Sequence, residues 1–161
     1  MLQDEEKTAQ FKTSRLDIER LNQHFDQLTF CKLPTHSKKS PEEAALTTWR
    51  IVLISLNSQN DPLALEIDDN ITVGRSLGNI TVDLDLTPFL ALELGVSREH
   101  AAIHPTKEAL LIYDRNSTNG TFCNFQSAST NKPLKVENND IISFGALNFQ
   151  VKIVRWPEFT T

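Results

Sequence analysis

The sequence has few of the residues that define several protein classes. Its 161 residues include only two cysteines, Cys31 and Cys123, which lie far apart and form no Cys-x-x-Cys pair. A disulfide-rich scaffold is therefore excluded, and the pattern predicts two free thiols in a reducing compartment. We also find no internal repeat and no low-complexity tract.

Positive charge and long apolar runs are also scarce. The chain has 16 Lys and Arg against 21 Asp and Glu, a net charge of −5, which argues against a nucleic-acid groove that works by phosphate neutralisation. The stretch Met1–Lys7 lacks the basic start and apolar run of a signal peptide. No stretch reaches the length of a membrane span. We therefore expect a cytoplasmic protein that binds neither nucleic acid nor membrane.

The first 45 residues predict a helical extension followed by a linker. Between residues 11 and 30, apolar residues recur at spacings typical of an amphipathic helix. These residues are Phe11, Ile18, Leu21, Phe25 and Leu28. A helix this short needs a surface to cover, so it either packs on its own domain or docks a partner or a second copy. Residues 33–41 have the composition of a linker, although Ser40-Pro41 also suits the start of a brief helix.

From Trp49 onward, short runs rich in Val, Ile, Thr and Phe are separated by Asn, Asp, Gly and Pro. This pattern predicts an all-β domain over residues 46–161, an antiparallel β-sandwich of about 10–11 strands. The predicted strands cover residues 49–56, 63–67, 71–74, 80–83, 100–104, 109–114, 120–123, 133–135, 140–143 and 147–155.

Three short polar stretches stand beside predicted strands: Gly74-Arg75, Ser97-Arg98-Glu99-His100 and Ser117-Thr118-Asn119-Gly120-Thr121. Arg75 offers a planar, permanently charged fork that suits a phosphate. Ser97 and Thr118 offer hydroxyl groups, and Asn119 offers an amide that donates and accepts hydrogen bonds. The pair Asn119-Gly120 is typical of a tight turn that holds its neighbours at the rim of a sheet. Together these groups suit a dianion on an extended chain.

The order and spacing of these stretches resemble those of the forkhead-associated (FHA) domain, a phosphothreonine-binding module. The resemblance runs from about Trp49 to Arg155 and includes the closing segment 140–145, Asp-Ile-Ile-Ser-Phe-Gly. It implies an FHA-type sandwich in which Arg75, Ser97, Arg98 and Thr118 contact the phosphate, while Asn119 holds the ligand main chain. It also implies that Gly74, His100 and Gly120 support the loops, His100 through hydrogen bonds.

The connection at residues 82–96 departs from a minimal domain of this kind, because it is longer and more acidic. It resembles a variant found in some bacterial members of the family. Its acidic residues Asp83, Asp85 and Glu93 either repel a phosphate or select basic residues beside it.

Catalysis and metal binding are the weaker interpretations. Ser97, His100 and Asp114 can be drawn as a hydrolase triad, but Ser97 has no glycine-flanked nucleophile elbow. His100 and His104 stand four residues apart on a predicted strand, which places them about 13 Å from each other and does not suit a metal pair. We expect no enzyme, no metal and no cofactor.

The sequence thus predicts a phosphothreonine-dependent protein-binding module, an adaptor whose partner carries a phosphothreonine. The alternative is a scaffolding protein that uses the same sandwich without reading phosphate. On either hypothesis, residues 11–30 provide a further route to a helix-mediated partner or to self-association.

Overall fold

The computed structural model describes residues 30–157, so all but the last residue of the predicted helix 11–30 lies outside the described residues. The described residues form two β-sheets, which confirms the all-β sandwich. The elements, in chain order, are β1 Cys31–Lys32, α1 Pro41–Ala45, β2 Trp49–Ser55, β3 Leu63–Ile67, β4 Ile71–Gly74, β5 Leu84–Asp85, a 3-10 helix Thr87–Phe89, β6 Glu99–Pro105, β7 Leu110–Asp114, β8 Thr121–Cys123, β9 Gln126–Ser127, β10 Leu134–Val136, β11 Ile141–Phe144 and β12 Leu147–Arg155. Neither helix in this range is long and apolar enough to cross a bilayer.

The two sheets face each other across one core. One has seven strands in the order β1-β3-β2-β12-β11-β8-β9, and the other has five in the order β10-β7-β6-β4-β5. The pairs are antiparallel except for β1 with β3 and β4 with β5. Phe144 and Phe149 are fully buried between the sheets, with ring centroids 6.3 Å apart. Each buried ring contributes roughly 2–3 kcal/mol of transfer free energy. Turning a strand over would expose such side chains to water, so the alternation of apolar residues determines which face of each strand turns inward.

The strand predicted at residues 80–83 is wrong, because the chain forms its strand at Leu84–Asp85 instead. Ile80 pairs back onto Leu77 in a tight turn. Asp83 then accepts hydrogen bonds from both the backbone N–H and the hydroxyl of Thr72. A side chain therefore replaces the ladder bonds that a strand would make at this point.

The structure attaches residues 33–41, the segment with the composition of a linker, to the sandwich. Leu33 is buried in the core. The backbone N–H groups of His36 and Ser37 each donate to Asp69 Oδ2 at 2.6 Å, and Thr35 Oγ1 donates to Asp68 Oδ1 at 2.7 Å. We call residues 31–45 the N-terminal arm.

The carboxylate that holds the arm is strongly acidic. Burial alone would raise the pKa of Asp69, but hydrogen bonds from Ser37, Asn70 and His36 outweigh burial and lower the pKa to about 2. The arm ends in α1, which confirms the brief helix. Ser40 caps its start by accepting from the backbone of Glu43, whose side chain accepts from the Ser40 backbone N–H.

Both cysteines are free thiols, as predicted, with Cys31 exposed and Cys123 buried. Burial and the neighbouring Asp140 carboxylate raise the pKa of Cys123 to about 12. This thiol is therefore protonated and unreactive at neutral pH.

The turn between β8 and β9 has at its tip a residue with an unfavourable backbone conformation. Asn124 and Phe125 both have positive φ, 49° and 69°, and the Phe125 side chain is 92% exposed. We expect Phe125→Gly to raise the free energy of unfolding. It relieves about 1–2 kcal/mol of left-handed strain, which exceeds the 0.5–1 kcal/mol or so of added backbone entropy. Urea unfolding of the two proteins tests this, and a less stable glycine variant would show that the ring makes a stabilising contact.

Candidate functional site

The loop after β4 and the loop before β6 touch through their backbones at Gly74. A Cβ atom at Gly74 would lie 2.0 Å from the Arg98 carbonyl oxygen and 2.9 Å from that of Ser97, so no side chain fits. The backbone N–H of Arg75 donates to the same Arg98 carbonyl at 3.0 Å. Glycine at this position therefore brings Arg75 directly beside the Ser97-Arg98 loop.

The Arg75 side chain is held by this second loop. Its Nε donates to the Val96 carbonyl oxygen at 3.3 Å, and the residue is half-buried, whereas Arg98 is exposed. The bond to Val96 uses one of the five N–H groups of the guanidinium. A guanidinium anchored in this way offers its terminal N–H groups to an anion with little loss of side-chain entropy.

His100 connects the Ser97 loop to the Gly120 turn from inside the core, where it is fully buried. The backbone N–H of Ser97 donates to His100 Nδ1 at 2.9 Å, and His100 Nε2 lies 2.8 Å from the Gly120 carbonyl oxygen. Because Nδ1 accepts, the hydrogen stands on Nε2 and the imidazole is neutral. Burial lowers the pKa of His100, although the Gly120 carbonyl and the Asp114 charge act in the opposite direction. The neutral ring therefore satisfies both loops at neutral pH.

Two further hydrogen bonds join the Ser117–Gly120 loop to the segment before β6. The backbone N–H of Thr118 donates to Ser97 Oγ at 3.1 Å, and Asn119 Nδ2 donates to the Gly95 carbonyl oxygen at 2.9 Å. A Cβ atom at Gly95 would lie 2.5 Å from Asn119 Nδ2, so the asparagine amide packs directly on a glycine. The structure thus brings together Arg75, Ser97, Arg98, Thr118 and Asn119 at one end of the sandwich.

Asp114 organises the turn that carries Thr118 and Asn119. Its carboxylate accepts from the backbone N–H of Ser117 at 3.1 Å, from the Ser117 hydroxyl, and from Thr121 Oγ1 at 2.7 Å. The Ser117 hydroxyl in turn accepts from the Gly120 backbone N–H at 2.9 Å. The turn is therefore preformed by its own side chains and does not need a ligand to shape it.

Sequence reasoning misses three residues that support this end. It presents Asp114 only as a triad member, although aspartate is a common turn residue whose side chain bonds nearby backbone groups. Gly95 and Gly145 both have positive φ, and a Cβ atom at Gly145 would lie 2.8 Å from the Gly95 carbonyl oxygen. Nothing local in the sequence marks these two glycines as neighbours, because their contact spans 50 residues of chain.

The geometry does not support the hydrolase triad. Both ring nitrogens of His100 are bonded to backbone groups, and Ser97 Oγ is bonded to the Thr118 backbone N–H. A nucleophile needs its hydroxyl beside the base that takes its proton, and His100 is not placed in that way. Within the described part of the chain, no three His, Cys, Asp or Glu side chains come together to hold a metal ion.

The acidic connection uses two of its carboxylates for its own structure. Asp83 Oδ2 accepts from the Thr72 backbone and lies 2.8 Å from His36 Nε2. Asp85 Oδ1 accepts from the backbone N–H groups of Ser76 and Thr87 and from the Thr87 hydroxyl. Burial alone would raise the pKa of Asp85, but these bonds outweigh burial and lower it. The two carboxylates therefore shape the loop that follows Arg75.

Comparison with known proteins agrees with this geometry. The family model of the FHA domain matches residues 71–145, which include all three polar stretches. No curated protein sequence matches the chain. Among solved structures, the N-terminal FHA domain of S. cerevisiae Rad53p, in complex with a phosphothreonine peptide, is 23% identical. The match covers 65% of this chain and 93% of that one, with a TM-score of 0.52.

Two further similar structures come from other kingdoms of life. The FHA domain of an Arabidopsis thaliana protein is 21% identical over 78% of this chain and 100% of that one, with a TM-score of 0.54. The FHA domain of a Chlamydia trachomatis protein is 20% identical over 69% and 99%, with a TM-score of 0.51. The likeness in fold therefore extends to yeast, a plant and a bacterium, and does not single out the bacterial type.

Proposed function

We propose that this chain, which contains an FHA domain, is a phosphothreonine-dependent protein-binding module. FHA domains are interaction modules and not enzymes. The observation that carries the proposal is the junction at Gly74, where Arg75 meets the Ser97-Arg98 backbone and its Nε donates to the Val96 carbonyl oxygen. A phosphate dianion bound there forms short charge-assisted hydrogen bonds with the two arginines, and phosphorylation of the partner then switches association on.

The hydrogen bonds at this end leave suitable groups for the rest of a ligand. Ser97 Oγ accepts from the Thr118 backbone, so its own hydroxyl hydrogen is directed elsewhere and is placed to donate to a phosphate oxygen. Asn119 uses one N–H on Gly95, and an amide has a second N–H and a carbonyl oxygen for a peptide main chain. The Thr118 hydroxyl completes the set of donors on this proposal.

The solved complex of the Rad53p domain with a phosphothreonine peptide supports the same class of ligand here. We take threonine rather than serine from the family resemblance, in which the extra methyl group fills a small apolar pocket. We also place the start of the domain near residue 31 rather than 46, because the N-terminal arm is bonded to Asp68 and Asp69. Experiments should therefore use the full chain.

Fluorescence anisotropy with a degenerate phosphothreonine peptide library tests the proposal. We expect the full chain to bind this library, to bind the phosphoserine library more weakly and to ignore the unphosphorylated one. Arg75→Ala should weaken binding at least tenfold, a loss of about 1.4 kcal/mol or more.

Arg155→Ala is the matched control, because Arg155 ends β12. It lies about 26 Å along that strand from Leu147, which begins β12 beside the site. It should bind like the unsubstituted protein. Equal binding of phosphorylated and unphosphorylated peptides would instead support the phosphate-independent scaffold.

A further inference from the structure

The outer face of the seven-stranded sheet carries buried apolar residues that do not belong to the core. Ile51 and Leu53 on β2 turn inward and pack in the core between the sheets. Val52 stands between them and must turn outward, yet it is 0% exposed. Its partner on β3 is Ala64, which is only 6% exposed, and its partner on β12 is Lys152. Side chains on an outer face are buried only when something covers them.

The same face carries two further apolar residues, which are separated by a glutamine. Ile54 lies two residues beyond Val52, and it is followed across the strands by Gln150 and then Ile141. Ile54 and Ile141 are half-buried. We call Val52, Ile54, Ala64 and Ile141 the outer strip.

Phe30, the first described residue, lies on this same face. The Phe30 ring centroid lies 5.0 Å from the Arg50 guanidinium carbon. Arg50 is two residues from Val52, so it also turns outward, and its Nε donates to Glu66 at 2.9 Å. Phe30 directly precedes β1, the edge strand of the sheet. The segment that precedes Phe30 is therefore joined to the domain at the edge of the outer face, close to Val52 and Ala64.

The length and pattern of the preceding segment fit this face. Residues 11–29 have an apolar stripe with charged and amide side chains on the opposite side. As a helix, these residues would be about 28 Å long, and a sheet of seven strands is about 29 Å wide. Such a helix therefore spans the sheet from its β1 edge.

We infer that residues 11–29 form an amphipathic helix that docks on the outer strip of the same chain. The docked helix covers Val52 and Ala64 with Leu21, Phe25 and Leu28. It lies on the face of the seven-stranded sheet, whereas Arg75, Ser97 and Asn119 lie on loops at one end of the sandwich. The helix thus stabilises the domain and leaves the phosphopeptide site open.

Methyl NMR of the full chain tests this inference. We expect cross-relaxation between the Val52 and Ala64 methyl groups and the side chains of Leu21 or Phe25. Phe25→Asp should move the Val52 and Ala64 methyl resonances and lower the thermal unfolding midpoint by about 4 °C or more. Gln23→Asp is the matched control, because it adds the same charge on the opposite side of the predicted helix, and it should change neither.

Two outcomes would overturn the inference. Methyl spectra of Phe25→Asp that coincide with those of the unsubstituted protein would show that the segment does not touch the strip. Cross-relaxation seen only between differently labelled chains in a mixed sample would assign the strip to a second copy. The cross-relaxation measurement uses the unsubstituted protein, so it tests the inference even if Phe25→Asp folds poorly.

Discussion

Replacing Gly74 with alanine should disrupt both the packing of the loops that carry Arg75 and Ser97 and the binding of phosphothreonine. The new Cβ atom would stand 2.0 Å from the Arg98 carbonyl oxygen, a distance that a real contact does not reach. Both atoms belong to the backbone or are fixed to it, so no side-chain rotation relieves the clash. The two loops must separate, which breaks the bond from the Arg75 N–H to Arg98 and moves the guanidinium away from Ser97.

We expect Gly74→Ala to lower the free energy of unfolding by about 3 kcal/mol, the upper end of the range for overpacked sites. Affinity for a phosphothreonine peptide should fall at least tenfold. Urea unfolding and peptide anisotropy measure the two effects.

Gly78→Ala is the matched control for the clash. Gly78 follows Arg75 in the same loop, and a Cβ atom there meets nothing within 4 Å. Its positive φ of 59° costs about 1–2 kcal/mol with alanine, but the junction at Gly74 stays intact and binding should persist. Normal binding by Gly74→Ala would show that the junction does not position Arg75.

Replacing His100 with alanine should have the second large effect. The variant leaves the Ser97 N–H without its partner and removes one of the two donors to the Gly120 carbonyl, which still accepts from the Gly145 N–H. A buried backbone group left unsatisfied costs about 1–3 kcal/mol, and the lost bond to Gly120 adds to this. A cavity beside Phe144, whose ring centroid lies 5.8 Å from that of His100, adds to the loss. We expect the free energy of unfolding to fall by about 3 kcal/mol or more in urea titrations.

His104→Ala provides the comparison, because His104 lies on the same strand but is only half-buried. It packs on Tyr113 with ring centroids 4.5 Å apart. Losing that contact should cost about 1 kcal/mol. Equal losses for the two variants would contradict a bridging role for His100.

The same bridge predicts a dependence on pH. The pKa of His100 is lowered in the folded protein, so the unfolded chain binds a proton more readily than the folded one. Stability is therefore complete above the ordinary pKa of about 6.5 and declines as the pH falls below it. His104 also has a lowered pKa, through burial and the Arg115 charge. The free energy of unfolding of His104→Ala and of the unsubstituted protein, measured between pH 5 and 7.5, separates the contribution of His104 from that of His100. If the free energy of unfolding of the variant did not change with pH, the account of His100 would be contradicted.

The sandwich itself could be predicted because its long strands alternate apolar and polar residues over several positions. The strands β1 and β9 have only two residues each, which is too short for any alternation to show. The attachment of residues 33–41 to the sandwich could not be predicted for a different reason. A composition rich in Pro, Ser and Lys indicates local flexibility only. The arm is instead held by hydrogen bonds to Asp69, which lies more than 30 residues later in the chain.

The candidate site was predictable in its residue types but not in its geometry. Arg75, Ser97 and Asn119 stand out because their side chains suit a phosphate and a peptide backbone. The features that set their positions are contacts between distant groups, as at Gly74 with Arg98 and at Gly95 with Asn119. The only sign of such a contact in the sequence is a glycine. Glycine is equally common in turns and caps that involve no close approach, so it does not identify the contact.

The most direct test of the account is an amide NMR titration of the full chain with a phosphothreonine peptide that anisotropy has shown to bind. The account predicts that the largest shift changes fall on Arg75, Ser97, Arg98, Thr118 and Asn119, and that the unphosphorylated peptide causes none of them. Changes centred on the turn at Asn138 and Asn139, which lies beside β12 away from the Gly145 turn, would contradict it. The absence of any change with the phosphorylated peptide would contradict it equally.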